Sequence, residues 1–421
     1  MKLHIDAMVY GGAGLAYPVT GQGEAVAVPF TLPGEVVEAS LTGAGQGALV
    51  QVLEASGDRV TAGCRHFGVC GGCQYQHAAY AAQVAIKAGI LRAVLEGVGI
   101  GEVPKVQVHS GAAWGYRNRI QLRVGDVDGV LRVGYSLRGT NEMLAIAECP
   151  IAAPVLWRAA EALLAVAKLP AGRLVKDVAE VEFFTVADES RVQMTLFMKK
   201  LQRGGLADLG LAMRKVLPEL VGAGTAVMRD GARSMAKAGE GWGVEGLQYE
   251  AVGRKYWVGR GSFFQVNRFM VETLVGLVSG SRQGTLAWDL YAGVGLFSQA
   301  LAERFTDVVA VEVGDSLKSF KGKGKWGLEG TTVEFLRVAV VQRERPDLVV
   351  VDPPRAGLGS EVCALLSRVK AKEMVYVSCD PETLARDVAE LVKAGYRVAA
   401  VHMVDLFPQT FHLESVVVLV A

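Results

Sequence analysis

The chain has 421 residues, is 51% hydrophobic and 21% charged, and carries a net charge of +1. That balance excludes a disordered chain and a generally basic nucleic-acid coat, so any nucleic-acid binding must use local patches. The length exceeds what one hydrophobic core serves, and about two to three domains are expected.

The opening "MKLHIDAMVYGG" has no basic segment followed by an apolar run, and no stretch approaches the ~18 apolar residues of a membrane span. Neither a signal peptide nor a membrane association is expected. The six cysteines then read as reduced thiols or metal ligands of a cytoplasmic protein, not as a disulfide framework.

Residues 1–58 alternate short β-branched runs ("EAVAVPF", "GEVVEASL", "ALVQVLEAS") with turn signals ("YPVTGQG", "TLPGE"). Closely spaced short strands predict a small OB-like β-barrel. A cysteine-rich stretch, 64–73, comes next, then a helix from about 78 to 98. Between 114 and 260 sheet-like runs ("YRNRIQLRVG", "EVEFFTVADESRVQMTLFM") mix with helical ones ("PVLWRAAEALLAVAKL", "LADLGLAMRKVL"). Residues 59–260 therefore form a central α+β domain, part of whose 78–113 stretch is expected to pack on the next domain.

After Gly261 the rhythm is strand, loop, helix. The strands are "TLAWDLY", "DVVAVEV", "DLVVVD", "EMVYVSC", "RVAAVHMVDLF" and "SVVVLVA". This predicts a parallel, doubly wound, Rossmann-like sheet over 261–421. The patch "KSFKGKGKWG" reads as a loop.

"WDLYAGVGLFS" is a strand, then Gly293-Val294-Gly295, then a helix start. Glycines there let the backbone turn tightly and approach a ligand. The next strand ends in Glu312, nineteen residues after Gly293, where an acid can accept from both hydroxyls of a ribose. The third glycine of the dinucleotide pattern is missing. The pair therefore fits an adenosyl ligand without a pyrophosphate, S-adenosylmethionine, better than a nicotinamide. In "VVVDPPRAG" the carboxylate of Asp352 stands at a strand mouth, and two prolines stiffen a loop that can face a flat heterocycle.

"EMVYVSCDPETLARD" ends an apolar run in Cys379, where parallel sheets keep their chemistry. Packing, metal ligation and nucleophilic attack are all open to it. A thiol before a helix start can have a lowered pKa. Glu414 precedes the last strand. A thiol and a carboxylate beside an adenosylmethionine site suit one reaction in particular. Carbon 5 of uracil is too weak a nucleophile to take a methyl group. Thiolate addition to carbon 6 makes it an enolate, and a base must later remove the carbon 5 proton.

On "SFFQVN", "LYAGVGLFS", "VVDPPRAG", "YVSCDPETLARD" and "HLESV" the chain resembles the RNA uracil-5-methyltransferases, which act on 23S ribosomal RNA or transfer RNA. The resemblance covers essentially the whole chain. It implies Cys379 as nucleophile and Glu414 as proton acceptor. It implies Gln265, Tyr291, Glu312 and Asp352 as ligands of adenosylmethionine or of the target base. It also implies RNA as the partner of a monomeric enzyme, with ribosomal RNA ahead of transfer RNA. Two other readings stand beside it. One is a non-catalytic RNA-binding relative. The other is an amino-directed base methyltransferase that uses only the "DPPR" loop and has no need of Cys379.

"CRHFGVCGGCQYQH" holds Cys64, Cys70 and Cys73, and Cys149 in "AIAECPI" can supply a fourth thiol. The C-x2-C spacing fits zinc or iron–sulfur, and the intervening glycines can aim backbone amides at sulfur. The resemblance implies a [4Fe–4S] cluster on these four residues and an N-terminal barrel of the TRAM type. Cys363, in "SEVCALLSRV", reads as packing. Trp114, Tyr116, Arg117 and Arg119 are expected to alternate along a strand that meets RNA, with Arg260 and Arg268 beside the crevice. The barrel sets Lys2 and Arg59 against Asp6, Glu24, Glu35, Glu38, Glu54 and Asp58, so weak phosphate binding by the barrel is expected.

Overall fold

Leu3 and Ile5 of the first strand turn inward, and a barrel closes around them. A computed structural model describes residues 1–421 apart from 22, 229–234 and 318–319. Strands β1 (Lys2–Met8), β2 (Ala13–Pro18), β3 (Val26–Pro29), β4 (Val36–Gly43) and β5 (Gln46–Glu54) form the closed barrel. Leu3, Ile5, Ala16, Val28 and Val37 fill it. Closure comes from β1 pairing antiparallel with β4 as well as with β2, which leaves no free edge. Of the "YPVTGQG" turn, residue 22 lies outside the described residues. Glu35 is not a surface acid. Its carboxylate is buried against Arg59 (2.5 Å) and accepts from Leu32 N–H (2.8 Å). Burial works to raise its pKa, but those bonds win and hold it below the usual carboxylate range.

The chain next forms α1 (Tyr80–Gly97) and β6 (Val106–His109). Ile90, Leu91 and Leu95 of α1 bury against Trp288 and Tyr376 of the C-terminal unit, and β6 pairs parallel with that unit's sheet. Lys87 on α1 makes a fully buried ion pair with Asp405 (2.7 Å) and donates to the Phe407 carbonyl (2.9 Å).

The central unit is a sheet ordered β13-β12-β11-β10-β7-β8-β9, made of β7 (Arg119–Val127), β8 (Val130–Ser136), β9 (Met143–Ala145), β10 (Val178–Thr185), β11 (Val192–Met198), β12 (Leu220–Met228) and β13 (Met235–Gly243). Helices α2 (Pro154–Val166) and α3 (Leu206–Val216) cover it, with Leu156, Leu163, Leu209 and Met213 facing Leu122, Val181 and Leu196. The hairpin β14 (Gly246–Ala251) and β15 (Arg254–Gly259) leads out of it.

The C-terminal unit comprises α4 (Val271–Ser279), β16 (Gly284–Leu290), α5 (Leu296–Leu301), β17 (Phe305–Glu312), β18 (Lys321–Gly322), β19 (Lys325–Glu329), α6 (Thr332–Gln342), β20 (Leu348–Val351), α7 (Gly359–Val369), β21 (Glu373–Ser378), α8 (Pro381–Lys393), β22 (Arg397–Val404) and β23 (Glu414–Val420). Its sheet runs β18-β19-β17-β16-β20-β21-β23-β22-β6. Alternate residues divide between its two faces: Val349, Val351, Met374 and Tyr376 enter one core, and Leu348, Val350, Val375 and Val377 the other.

Two expectations need correction. The sheet is not parallel throughout, because β23 runs antiparallel to both β21 and β22. No helix lies between β22 and β23, and a parallel return needs a long crossover. The patch read as a loop holds β19, which pairs parallel with Val308–Glu312 of β17. Its lysines and glycines hide a strand whose side chains remain largely outside, as Trp326 and Leu328 show. Lys318 and Ser319 of that patch lie outside the described residues.

Among the described residues no helix is long and apolar enough to cross a membrane.

Candidate active site and cysteine centre

The strands β16, β17, β20 and β21 run parallel, so their C-terminal ends share one edge of the sheet. Tyr291 follows β16, Glu312 ends β17, Asp352 follows β20 and Cys379 follows β21. Glu414 reaches the same edge from the opposite direction. The β21–β23 ladder ends in the pair Ser378–Ser415, and Cys379 and Glu414 adjoin that pair, with the Glu414 charge acting on the thiol. Sequence spacing alone could not place them together.

The glycine loop is sharply turned. Gly293 (φ 56°) and Gly295 (φ 81°) are left-handed, and so is Tyr291 (φ 65°), where a side chain makes that geometry strained. Glu312 holds the loop: it accepts from Gly293 N–H (2.8 Å) and from Val313 N–H (2.9 Å). A Cβ at Gly293 would meet nothing within 4 Å, so the backbone there borders open space. Asp289 lies beneath, fully buried. One of its oxygens accepts from the Ser298 hydroxyl, and the other has no partner. An orphaned acceptor under an open glycine turn fits a cationic, hydroxyl-bearing ligand such as S-adenosylmethionine. Gln265 lies on the connector between β15 and α4, buried, with its backbone carbonyl accepting from Asn118 (2.9 Å).

The electrostatics of the pair are unusual. Burial pushes the Cys379 thiol up to about 12, with the Glu414 and Asp352 carboxylates adding to the rise and Arg355 opposing it through its charge and a hydrogen bond. Burial also lifts Glu414 well above the carboxylate range, helped by Asp352. Asp352 is raised to about 7, by burial and then by Asp289. Arg355, from "DPPR", is the compensating charge, and it also contacts His412 (3.3 Å). Arg355, Asp289 and His412 lie inside the motifs "VVVDPPRAG", "WDLYAGVGLFS" and "HLESV", but no role for them follows from the sequence alone.

Cys64, Cys70, Cys73 and Cys149 are free thiols; burial raises each of them, and neighbouring thiols add to the rise at Cys70, Cys73 and Cys149. A bridge between Cys70 and Leu137, beside the hairpin of β8 and β9, carries the first three toward Cys149. Backbone amides of His66 and Gly72 favour the ionised forms of Cys64 and Cys70. The Tyr135 hydroxyl donates to Cys149 Sγ (3.7 Å), and buried Arg117 faces Cys73 and Cys149 with its Nε unpartnered. A positive charge and aimed donors fit an anionic, thiolate-bound group. Among the described residues no three His, Cys, Asp or Glu side chains lie close enough to hold a single metal ion.

That placement corrects the expected RNA stripe. The strand begins only at Arg119, so Trp114, Tyr116 and Arg117 do not alternate along it. Tyr116 is core, donating to the Pro408 carbonyl (3.0 Å). Arg119 pairs with Glu182 (3.0 Å) over the Phe184 ring, Arg268 with Glu189 (2.7 Å), and Arg260 donates to the Ala223 carbonyl (2.5 Å). Trp114 remains partly exposed.

The pattern of the tRNA (Uracil-5-)-methyltransferase family matches residues 331–421, the part holding Asp352, Cys379 and Glu414. An uncharacterized RNA methyltransferase of Aquifex aeolicus is 32% identical over 100% of this chain and 98% of its own. The 23S rRNA (uracil(1939)-C(5))-methyltransferase RlmD of Alkalilimnicola ehrlichii is 30% identical over 99% and 96%. The chain belongs to the RNA uracil-5-methyltransferase family. Its activity is therefore S-adenosylmethionine-dependent methylation of uracil carbon 5 in RNA. The Pyrococcus abyssi tRNA (uracil-54, C5)-methyltransferase, solved with S-adenosyl-L-homocysteine, superposes with a TM-score of 0.76 over 100% of both chains at 23% identity, a likeness of fold. The uracil methyltransferase fold thus accounts for all three units of this enzyme.

Proposed function

We propose that the enzyme methylates a uridine of 23S ribosomal RNA through a covalent bond between Cys379 and carbon 6 of the base. The observation that carries this reading is that Cys379 and Glu414 adjoin the last pair of the β21–β23 ladder, one strand from Asp352, with both carboxylates acting on the thiol. The Cys379 thiolate adds to carbon 6, and the electron pair moves to carbon 5 as an enolate. Carbon 5 takes the methyl group, which the sulfonium of adenosylmethionine supplies, leaving S-adenosylhomocysteine. Glu414 removes the carbon 5 proton, the bond between sulfur and carbon 6 breaks, and the thiolate returns. Glu312 and Tyr291 border the adenosyl ligand, and Gln265 and Asp352 hold it or the base.

Burial raises Cys379, Asp352 and Glu414 together, so the free site disfavours their ionised forms. A positive charge in the crevice favours the ionised form of all three. Cofactor binding thereby prepares both nucleophile and base.

Ribosomal RNA is preferred because the named relatives at 30% identity and above act there. We assign residues 1–58 as a TRAM-type barrel, 59–260 as the cluster-bearing domain and 261–421 as the methyltransferase domain of a cytoplasmic monomer. Cys64, Cys70, Cys73 and Cys149 would hold a [4Fe–4S] cluster. What supports this is the C-x2-C spacing together with Arg117 and the Tyr135 hydroxyl facing the thiols. The reaction moves no electron, so the cluster is structural.

The test uses RNA carrying 5-fluorouridine with adenosylmethionine on a denaturing gel. Fluorine cannot leave as a proton, so the adduct persists. A heat-stable adduct with native protein, absent in Cys379→Ala, supports the reading, and ribosomal and transfer RNA are compared directly. Methylation that survives Cys379→Ala would instead favour the amino-directed alternative.

A further inference from the structure

The N-terminal barrel does not stand apart from the catalytic edge. Its β1–β2 hairpin, "MVYGGA", projects into the methyltransferase unit. Met8 and Tyr10 pack in the same cluster as Tyr376 and Leu384. The tip turns through Gly11 (φ 101°) and Gly12 (φ 90°), which only glycine adopts freely. A Cβ on Gly12 would lie 3.1 Å from Gln74 and 3.3 Å from Phe411, so the hairpin backbone is seated against the loop that leads to Glu414.

The seat delivers one polar group. The Tyr10 hydroxyl donates to Asp380 Oδ2 (3.4 Å), while its ring packs edge-on against Phe411 (5.3 Å). Asp380 directly follows Cys379. Its other oxygen caps helix α8, accepting from Glu382 N–H (3.2 Å) and Thr383 N–H (3.1 Å). The turn that carries the thiol is thus braced on one side by its own helix and on the other by the barrel.

We propose that Tyr10 is a positioning residue of the catalytic centre, its hydroxyl fixing the Cys379–Asp380 turn and offsetting the Asp380 charge beside the thiol. The barrel then serves the chemistry directly, which agrees with its poverty in free cations for gripping phosphate. The inference rests on Cys379 being the nucleophile.

Tyr10→Phe keeps the ring on Phe411 and removes only the hydroxyl. Adduct formation with 5-fluorouridine RNA is followed in time across a pH series, at saturating RNA and adenosylmethionine. We expect the variant to melt with the wild type and bind adenosylmethionine equally. Its adduct should form more slowly, on the order of tenfold at neutral pH, with the half-maximal rate displaced to higher pH. The rise follows because an Asp380 charge left without its donor disfavours the nearby thiolate. Tyr10→Ala should be slow as well and also less stable. A Tyr10→Phe enzyme with the wild-type rate and pH profile would overturn the inference, leaving Tyr10 as packing. So would a variant whose only change is weaker RNA binding. Wild-type protein that binds adenosylmethionine but forms no adduct would remove the nucleophile reading, and the inference with it.

Discussion

Cys379 and Glu414 flank the Ser378–Ser415 pair that ends the β21–β23 ladder, close enough for the Glu414 charge to act on the thiol. The antiparallel last strand makes this possible. A parallel β23 would begin at the far edge of the sheet and leave Glu414 remote from the thiol. Both faces of β23 are buried, with Val416 in one core and Val417 and Leu419 in the other, so its register rests on the fit of those side chains and not on alternation.

Glu414→Gln should separate the halves of the reaction. Addition and methylation need only Cys379, whereas release needs the carboxylate. With ordinary uridine RNA this variant should accumulate a methylated covalent complex, and turnover should fall by about 10²–10⁴-fold. A variant that releases product at the wild-type rate would remove Glu414 as the base.

Arg355 is the charge that draws the Cys379 thiol down against burial, Glu414 and Asp352. Arg355→Met should displace the pH dependence of adduct formation upward and slow it by roughly tenfold near neutrality. Because Arg355 is exposed, salt should narrow the difference between wild type and variant. Stopped kinetics at two ionic strengths would measure both effects.

Asp289 is buried and raised to about 7. The folded chain holds a proton that the unfolded chain releases near pH 3.9. This group's favourable contribution is complete at low pH and is lost as pH rises through about 7. Asp289→Asn should therefore increase the unfolding free energy at alkaline pH by about 2–4 kcal/mol, seen as a higher melting temperature, and give no gain in acid. It should also weaken adenosylmethionine. An unchanged alkaline melting temperature would contradict the raised acid.

Glu312→Ala removes the acceptor of the Gly293 amide as well as the expected ribose acceptor. Calorimetry should show adenosylmethionine binding weakened by roughly ten- to a hundredfold. RNA affinity should be unaffected.

Cys73→Ser should abolish cluster loading. Anaerobically purified wild type should carry about four iron atoms and four sulfides per chain, and the variant almost none. Cys363→Ser is the control, since Cys363 is buried on α7 and donates only to the Asp387 carbonyl (3.9 Å). Equal iron in Cys73→Ser and wild type would refute the ligand assignment.

Much of the catalytic edge is legible along the chain. Apolar runs that stop at Tyr291, Glu312, Asp352 and Cys379 mark strand mouths, because buried parallel strands leave few places for polar groups except their ends. The arginines were less legible. "YRNRIQLRVG" alternates like an exposed strand, yet Arg117 is buried among the thiols and Arg119 pairs with Glu182. Charge says nothing of which face a residue takes when its partners lie 60 residues away. "KSFKGKGKWG" failed in the opposite way: β19 is held by backbone bonds at a sheet edge and needs no apolar alternation.

The sequence by itself determined which residue types stand at strand mouths, how the thiols are spaced, and the family to which those motifs belong. These are short-range properties, written by hydrophobic periodicity and turn chemistry. The antiparallel run of β23 and the meeting of Tyr10 with Asp380 across 370 residues become visible only in the folded chain. Such contacts follow from how three cores bury their apolar faces against one another, and no local pattern in the chain encodes that packing.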